Sequence, residues 1–142
     1  MKKPGVLIGA VIFFTVTLGC SGQMDGVIRR DAARIEITYT DSRLAAAELI
    51  AVLPSGEHFL GKSERLDSAK DVMETSPNKA DDIAFHFEAL QTFPGNVKAT
   101  LSGNRGKIIR CRFKLTDVIL GFSSGGTGLC QVSDGRVIDV FF

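Results

Sequence analysis

From residue 109 the chain reads Ile-Arg-Cys-Arg-Phe-Lys-Leu, and this stretch limits the fold more than any other part of the sequence. Ile109, Cys111, Phe113 and Leu115 share one side of an extended backbone, with Arg110, Arg112 and Lys114 on the other, because successive strand side chains point to opposite faces. Wound as a helix, the same residues would mix arginine into the apolar stripe. The stretch therefore predicts a half-buried strand with Cys111 on its buried side. The basic stripe reads as a solvated face or a protected edge, with an anionic partner such as lipid headgroups or glycan as the alternative.

The same alternation recurs in Arg34 to Thr40, where Ile35, Ile37 and Tyr39 line up, and again at Val97, Ala99 and Leu101. Ala45 to Leu53 and His58 to Glu64 flank Pro54-Ser55-Gly56-Glu57, which predicts a hairpin. Leu44 to Leu53 is alanine-rich and fits either helix or strand. Ile83 to Leu90 is expected to be a strand and Arg65 to Asp81 a loop. With 15 glycines and no tryptophan, the composition suits short strands and tight turns. The expected fold is all-β: a small antiparallel meander, sheet or partly closed barrel forming one domain over residues 33–142.

The start of the chain has a different character. Lys2 and Lys3 precede thirteen uncharged residues, Val6 to Leu18, which end at Gly19-Cys20. This is the length of an export signal, whereas a spanning helix needs roughly 20 apolar residues. Thr17-Leu18-Gly19-Cys20 resembles the lipobox of bacterial lipoproteins, with Thr17 in place of the commoner leucine. That resemblance implies a signal peptide over residues 1–19, a lipid on Cys20, and a firm anchor made of several acyl chains. Ser21, rather than aspartate, implies sorting to the outer membrane, facing the periplasm. Ser21 to Asp31 is polar and reads as a tether, so that residues 20–32 form a lipidated cysteine and flexible linker. Without Lys2 and Lys3, the 17 basic residues fall to 15 against 16 acidic ones. These charges are interleaved, and no footprint for nucleic acid emerges.

Lipid on Cys20 leaves Cys111 and Cys130 as a pair, which predicts one disulfide. Two thiols alone do not make a metal site, and His58 and His86 lie far off in sequence. Setting Cys111 opposite Cys130 places Phe113 opposite Gly128 and Ile109 opposite Val132. A three-residue loop, Ser133-Asp134-Gly135, then puts Cys130 opposite Ile138 and Gly128 opposite Val140. A two-residue turn would instead bring Asp139 onto the cysteine face.

Gly121-Phe122-Ser123-Ser124-Gly125 matches the G-x-S-x-G pattern of serine hydrolases. That elbow needs a following helix and a downstream histidine, and the sequence offers neither. Nor does the glycine-rich run have the lysine and helix of a phosphate loop. Ser123, Ser124, Gly125, Gly126 and Thr127 are instead candidates for a binding loop. No cofactor motif is present. His58, His86 and Glu88 are the residues from which a dispersed catalytic site would be built, although none has a local partner. The terminal Phe142 is shared with outer-membrane barrels, but the strands are short for that class.

Residues 97–142 are similar to a family of small uncharacterised bacterial lipoproteins. The shared pattern is Thr100-Leu101-Ser102-Gly103, Arg105-Gly106, Cys111, the glycines 125 to 128, Gly128-Leu129-Cys130, Asp134-Gly135-Arg136 and Asp139 to Phe142. The resemblance implies export and fold rather than mechanism. The expected function is a non-catalytic, membrane-anchored β domain that binds or supports another envelope component. The alternatives are an envelope enzyme with a dispersed site, or an inhibitor or adhesin presenting loop 121–128.

Overall fold

The computed structural model describes residues 20–42, 46–66 and 87–142. Eight antiparallel strands run in chain order around a closed barrel: β1 Ser21–Ile28, β2 Arg34–Ser42, β3 Ala46–Val52, β4 His58–Arg65, β5 Val97–Gly103, β6 Ile108–Leu115, β7 Gly126–Val132 and β8 Val137–Phe141. Each strand pairs with its neighbours in sequence, and β1 meets β8 from Asp25 opposite Phe141 to Ile28 opposite Ile138. Within Leu44 to Leu53, residues 46–52 are thus strand, and Leu44 and Ala45 lie outside the described residues. The expected signal peptide and most of the expected loop 65–81 lie outside the described residues.

Closure depends on a segment that reads as a tether. Ser21 to Ile28 is a strand paired along its length with β2. Its inward positions are Gly22, Met24, Gly26 and Ile28, so glycine replaces half of the apolar alternation. The opposing residues explain the glycines. Gly22 faces Tyr39 and Gly26 faces Ile35. A Cβ on Gly26 would come within 2.6 Å of the Ile35 side chain, and one on Gly22 would run into the Tyr39 ring.

The C-terminal half follows the register that the alternation predicts. Cys111 lies opposite Cys130, Phe113 opposite Gly128 and Ile109 opposite Val132. The Cys111–Cys130 disulfide is formed and buried among core residues. Cys130 pairs with Ile138 and Gly128 with Val140. The last turn has three residues: Val132 N–H donates to the Arg136 carbonyl at 2.9 Å, and Gly135 takes a φ of 97°. That left-handed conformation is where glycine is favoured.

Inside, Met24, Ile28, Leu49, Phe59, Leu101, Ile109, Phe113, Phe122 and Ile138 are fully buried and fill the barrel with side chains, as eight-stranded barrels of this bore commonly are. Glu36, Glu48, Lys62, Arg110 and Lys114 point outward. An apolar interior with a charged exterior reverses the pattern of a membrane-spanning barrel.

The described end of one expected strand is helical instead. Within Ile83 to Leu90, residues 83–86 lie outside the described set, and Glu88–Gln91 forms a short helix, α1. Leu90 is buried as α1 lies against β6 and β7. On that side the outward β7 residues Leu129 and Gln131 are buried as well. The Arg110 guanidinium lies over the Phe87 ring at 4.8 Å, which gives one cation of the basic stripe an aromatic partner. The apparent alternation of Glu88-Ala89-Leu90 equally allows one helical turn with Leu90 inward, and packing selects the helix.

Gly128→Val should push a side chain into the Phe113 ring and lower stability by about 1–3 kcal/mol in urea unfolding. Adding Phe113→Leu should restore part of that loss, which checks the register directly. Replacing both Cys111 and Cys130 with alanine should cost about 3 kcal/mol by loop-closure entropy, read as a lower urea midpoint.

Candidate functional site

Sequence order sends alternate connections to opposite ends of the barrel, and the two ends are built differently. At one end lie Cys20, the end of β2, the β6–β7 connection and the end of β8. Within that connection Gly121–Ser124 forms a 3-10 turn that drops Phe122 into the barrel mouth. Phe122 meets Tyr39 at 5.5 Å between ring centroids, Phe142 at 5.4 Å, and the edge of Phe113 at 5.0 Å. Such tilted and edge contacts suit aromatic quadrupoles.

Asp41 fixes this plug. Its Oδ1 accepts from Phe122 N–H at 3.3 Å and its Oδ2 from Ser123 N–H at 3.2 Å. Gly121 beside it has a φ of 74°, and a Cβ there would approach Asp41 Oδ1 to 2.9 Å. The main chain of Asp41 in turn donates to the Cys20 carbonyl at 2.8 Å. Burial raises the pKa of the nearby Tyr39 phenol, and the charge of Asp41 adds to the effect. Cys20 itself is exposed and outside the disulfide.

Of the five candidate loop residues, Ser123 and Ser124 belong to the barrel plug, Gly125 follows it, and Gly126 and Thr127 open β7. Ser123 is exposed, but its hydroxyl donates to the Leu120 carbonyl at 2.8 Å. The Ser124 hydroxyl lies 2.7 Å from the Gly121 carbonyl and accepts from Asp117 N–H at 3.0 Å. Gly125 and Gly126 adopt positive φ, and Thr127 is an exposed residue of β7. The serine of the G-x-S-x-G match sits in a 3-10 turn, not at a strand-to-helix elbow. The most exposed large apolar side chains here are ones the sequence does not single out: Ile119 at 84% and Leu120 at 63%.

The opposite end carries the tight hairpins and a charged cluster. Glu57 points inward like Phe59 and is wholly buried, although it reads as a turn residue in the sequence. Its parity with Phe59 was the available signal. Lys107 donates to Glu57 Oε2 at 3.1 Å and lies 3.7 Å from Asp134. Asp134 is bound by Arg136 at 2.7 Å. Burial alone would raise the Asp134 pKa, but hydrogen bonds and charge from Arg136, helped by Lys107, hold it below the usual carboxylate range. Alongside, Arg29 makes a two-point bond to Asp139 at 2.8 and 2.9 Å. Among the described residues Glu57 Oε1 has no hydrogen-bond partner.

Of the dispersed catalytic candidates, the two described ones stay apart. His58 opens β4 and is exposed, whereas Glu88 is on α1 beyond β5, against β6 and β7. His86 lies outside the described residues. Comparison with models of protein families, with curated proteins and with solved structures found no match for the chain.

The Asp134 carboxyl binds its proton less readily in the folded chain than in the unfolded one. Its contribution to stability is present above the ordinary carboxylate range and is lost as pH falls through the lowered folded value. Asp134→Asn should therefore flatten the fall in urea midpoint between about pH 5 and pH 2.

Proposed function

We propose that this chain is a membrane-anchored lipoprotein of the bacterial cell envelope, with a barrel that plays a binding or structural role rather than a catalytic one. Cys20 carries the reading: it is exposed, lies outside the disulfide and directly precedes β1. Ahead of it stand two lysines, the uncharged run Val6 to Leu18, and Gly19, the order of features in an export signal that ends in a lipidation site. Ser21 favours the outer membrane, on its periplasmic side. The buried Cys111–Cys130 disulfide fits an oxidising compartment. A barrel interior filled by side chains, with His58 and Glu88 on separate elements, supports a role played by the surface. The proposed partners are membrane lipid, through the acylated cysteine, and another envelope component.

Intact mass of the protein purified from membranes tests the anchor. The expected mass is that of a chain starting at Cys20 and carrying acyl groups, with Cys111 and Cys130 alkylated only after reduction. A chain that retains residues 1–19, or that starts at Cys20 without acyl mass, would overturn the reading.

A further inference from the structure

The two most exposed aliphatic side chains at the plugged end, Ile119 and Leu120, are fixed relative to the point where the chain would leave the membrane. The Asp41 main chain holds the Cys20 carbonyl at 2.8 Å. The Asp41 carboxylate holds Phe122 and Ser123, which Gly121 separates from this apolar pair. Ile119 and Leu120 are themselves set by Asp117, whose Oδ1 accepts both of their N–H groups, at 2.8 and 3.2 Å. Neither element is loosely hung. β1 begins at Ser21, so no linker separates Cys20 from the barrel wall. Phe141, half-exposed at the end of β8, adds a third apolar group near the same rim.

We propose that this end of the barrel is a lipid-contact face, with Ile119 and Leu120 seated in the interfacial layer of the bilayer that holds Cys20. The inference rests on the anchoring reading above and deepens it: the anchor fixes an orientation as well as a location. A barrel tied at Cys20 without slack brings its plugged end to the membrane surface. Exposed aliphatic groups there gain by entering the headgroup and acyl boundary. The charged end, with Arg29, Lys107, Asp134 and Arg136, then faces away from the membrane. A second exposed apolar patch, Ile50 and Leu60 paired across β3 and β4, lies on the side wall. It provides an internal control, because Leu60 is 59% exposed against 63% for Leu120.

The chain contains no tryptophan, so a single introduced indole reports its own surroundings. Leu120→Trp and Leu60→Trp variants of the full chain would be purified from membranes. Each would be reconstituted into phosphatidylethanolamine–phosphatidylglycerol vesicles containing brominated phosphatidylcholine. The expected result is a blue-shifted Leu120→Trp emission quenched by about half or more, with Leu60→Trp unaffected. Circular dichroism checks that both variants keep the barrel, and intact mass on the same samples reports acylation. Acylated protein with an unquenched Leu120→Trp would overturn the inference while leaving the anchor standing, and would point to a soluble partner for this loop. Quenching of Leu60→Trp alone would also overturn it, by placing the side wall on the lipid. Missing acyl mass together with no quenching would overturn both readings, whereas quenching without acyl mass would support the contact face and remove the anchor.

Discussion

Phe113 lies across from Gly128, Phe59 from Gly103, Tyr39 from Gly22 and Ile35 from Gly26. In each pair one strand brings a large side chain inward and its partner brings none. Eight short strands enclose a bore in which large groups cannot face one another across every pair. A Cβ on Gly103 would stand 2.6 Å from the Phe59 ring. The glycines thus set how close the walls come, and the rings fill the space left over. Slipping any of these pairs by one residue would set bulk against bulk and turn the apolar row outward.

This packing leaves the ends with different tasks. The core still has to be closed off from water at each mouth. One mouth is closed by an aromatic plug, Phe122 among Tyr39, Phe113 and Phe142. The other is closed by ions, with Glu57 buried beneath Lys107 and the Asp134–Arg136 pair. A buried carboxylate is tolerated only with a cation at hand, and Lys107 reaches it while staying partly in water. The molecule therefore has a greasy pole and a charged pole. A surface it rests on would meet one of these and not the other.

The C-terminal half was legible because its alternation is strong and one disulfide locks the parity. Once Cys111 is set against Cys130, the pairings through Val140 follow, including the three-residue turn at Gly135. β1 was hidden because two of its inward residues are glycine, so the chain looks polar and flexible until Tyr39 and Ile35 are seen opposite. α1 was missed because its four residues, Glu88 to Gln91, are too few to carry a period. At the site, the chemistry of Cys20 could be read from its neighbours, but the clamp between Cys20, Asp41 and the 3-10 turn could not. Asp41 and Phe122 are 81 residues apart, and their contact exists only because the barrel closes. Glu57 looked like turn chemistry because its inward aim depends on a strand that begins after it.

Every pairing but one joins strands adjacent in sequence, and the exception is the seam between β1 and β8. Apart from the long β4–β5 connection, the steps between neighbouring strands close short loops and can form locally at modest cost. The seam cannot form until β8, the last strand of the barrel, has been synthesised. Until then β1 and the newest strand both show unpaired backbone, the condition in which strands recruit foreign edges. The disulfide lies only two strand positions from this seam, so oxidation fixes the β6–β7 hairpin against which β8 docks. Maturation of the barrel is thus ordered by topology: the first strand waits, edge open, for the last.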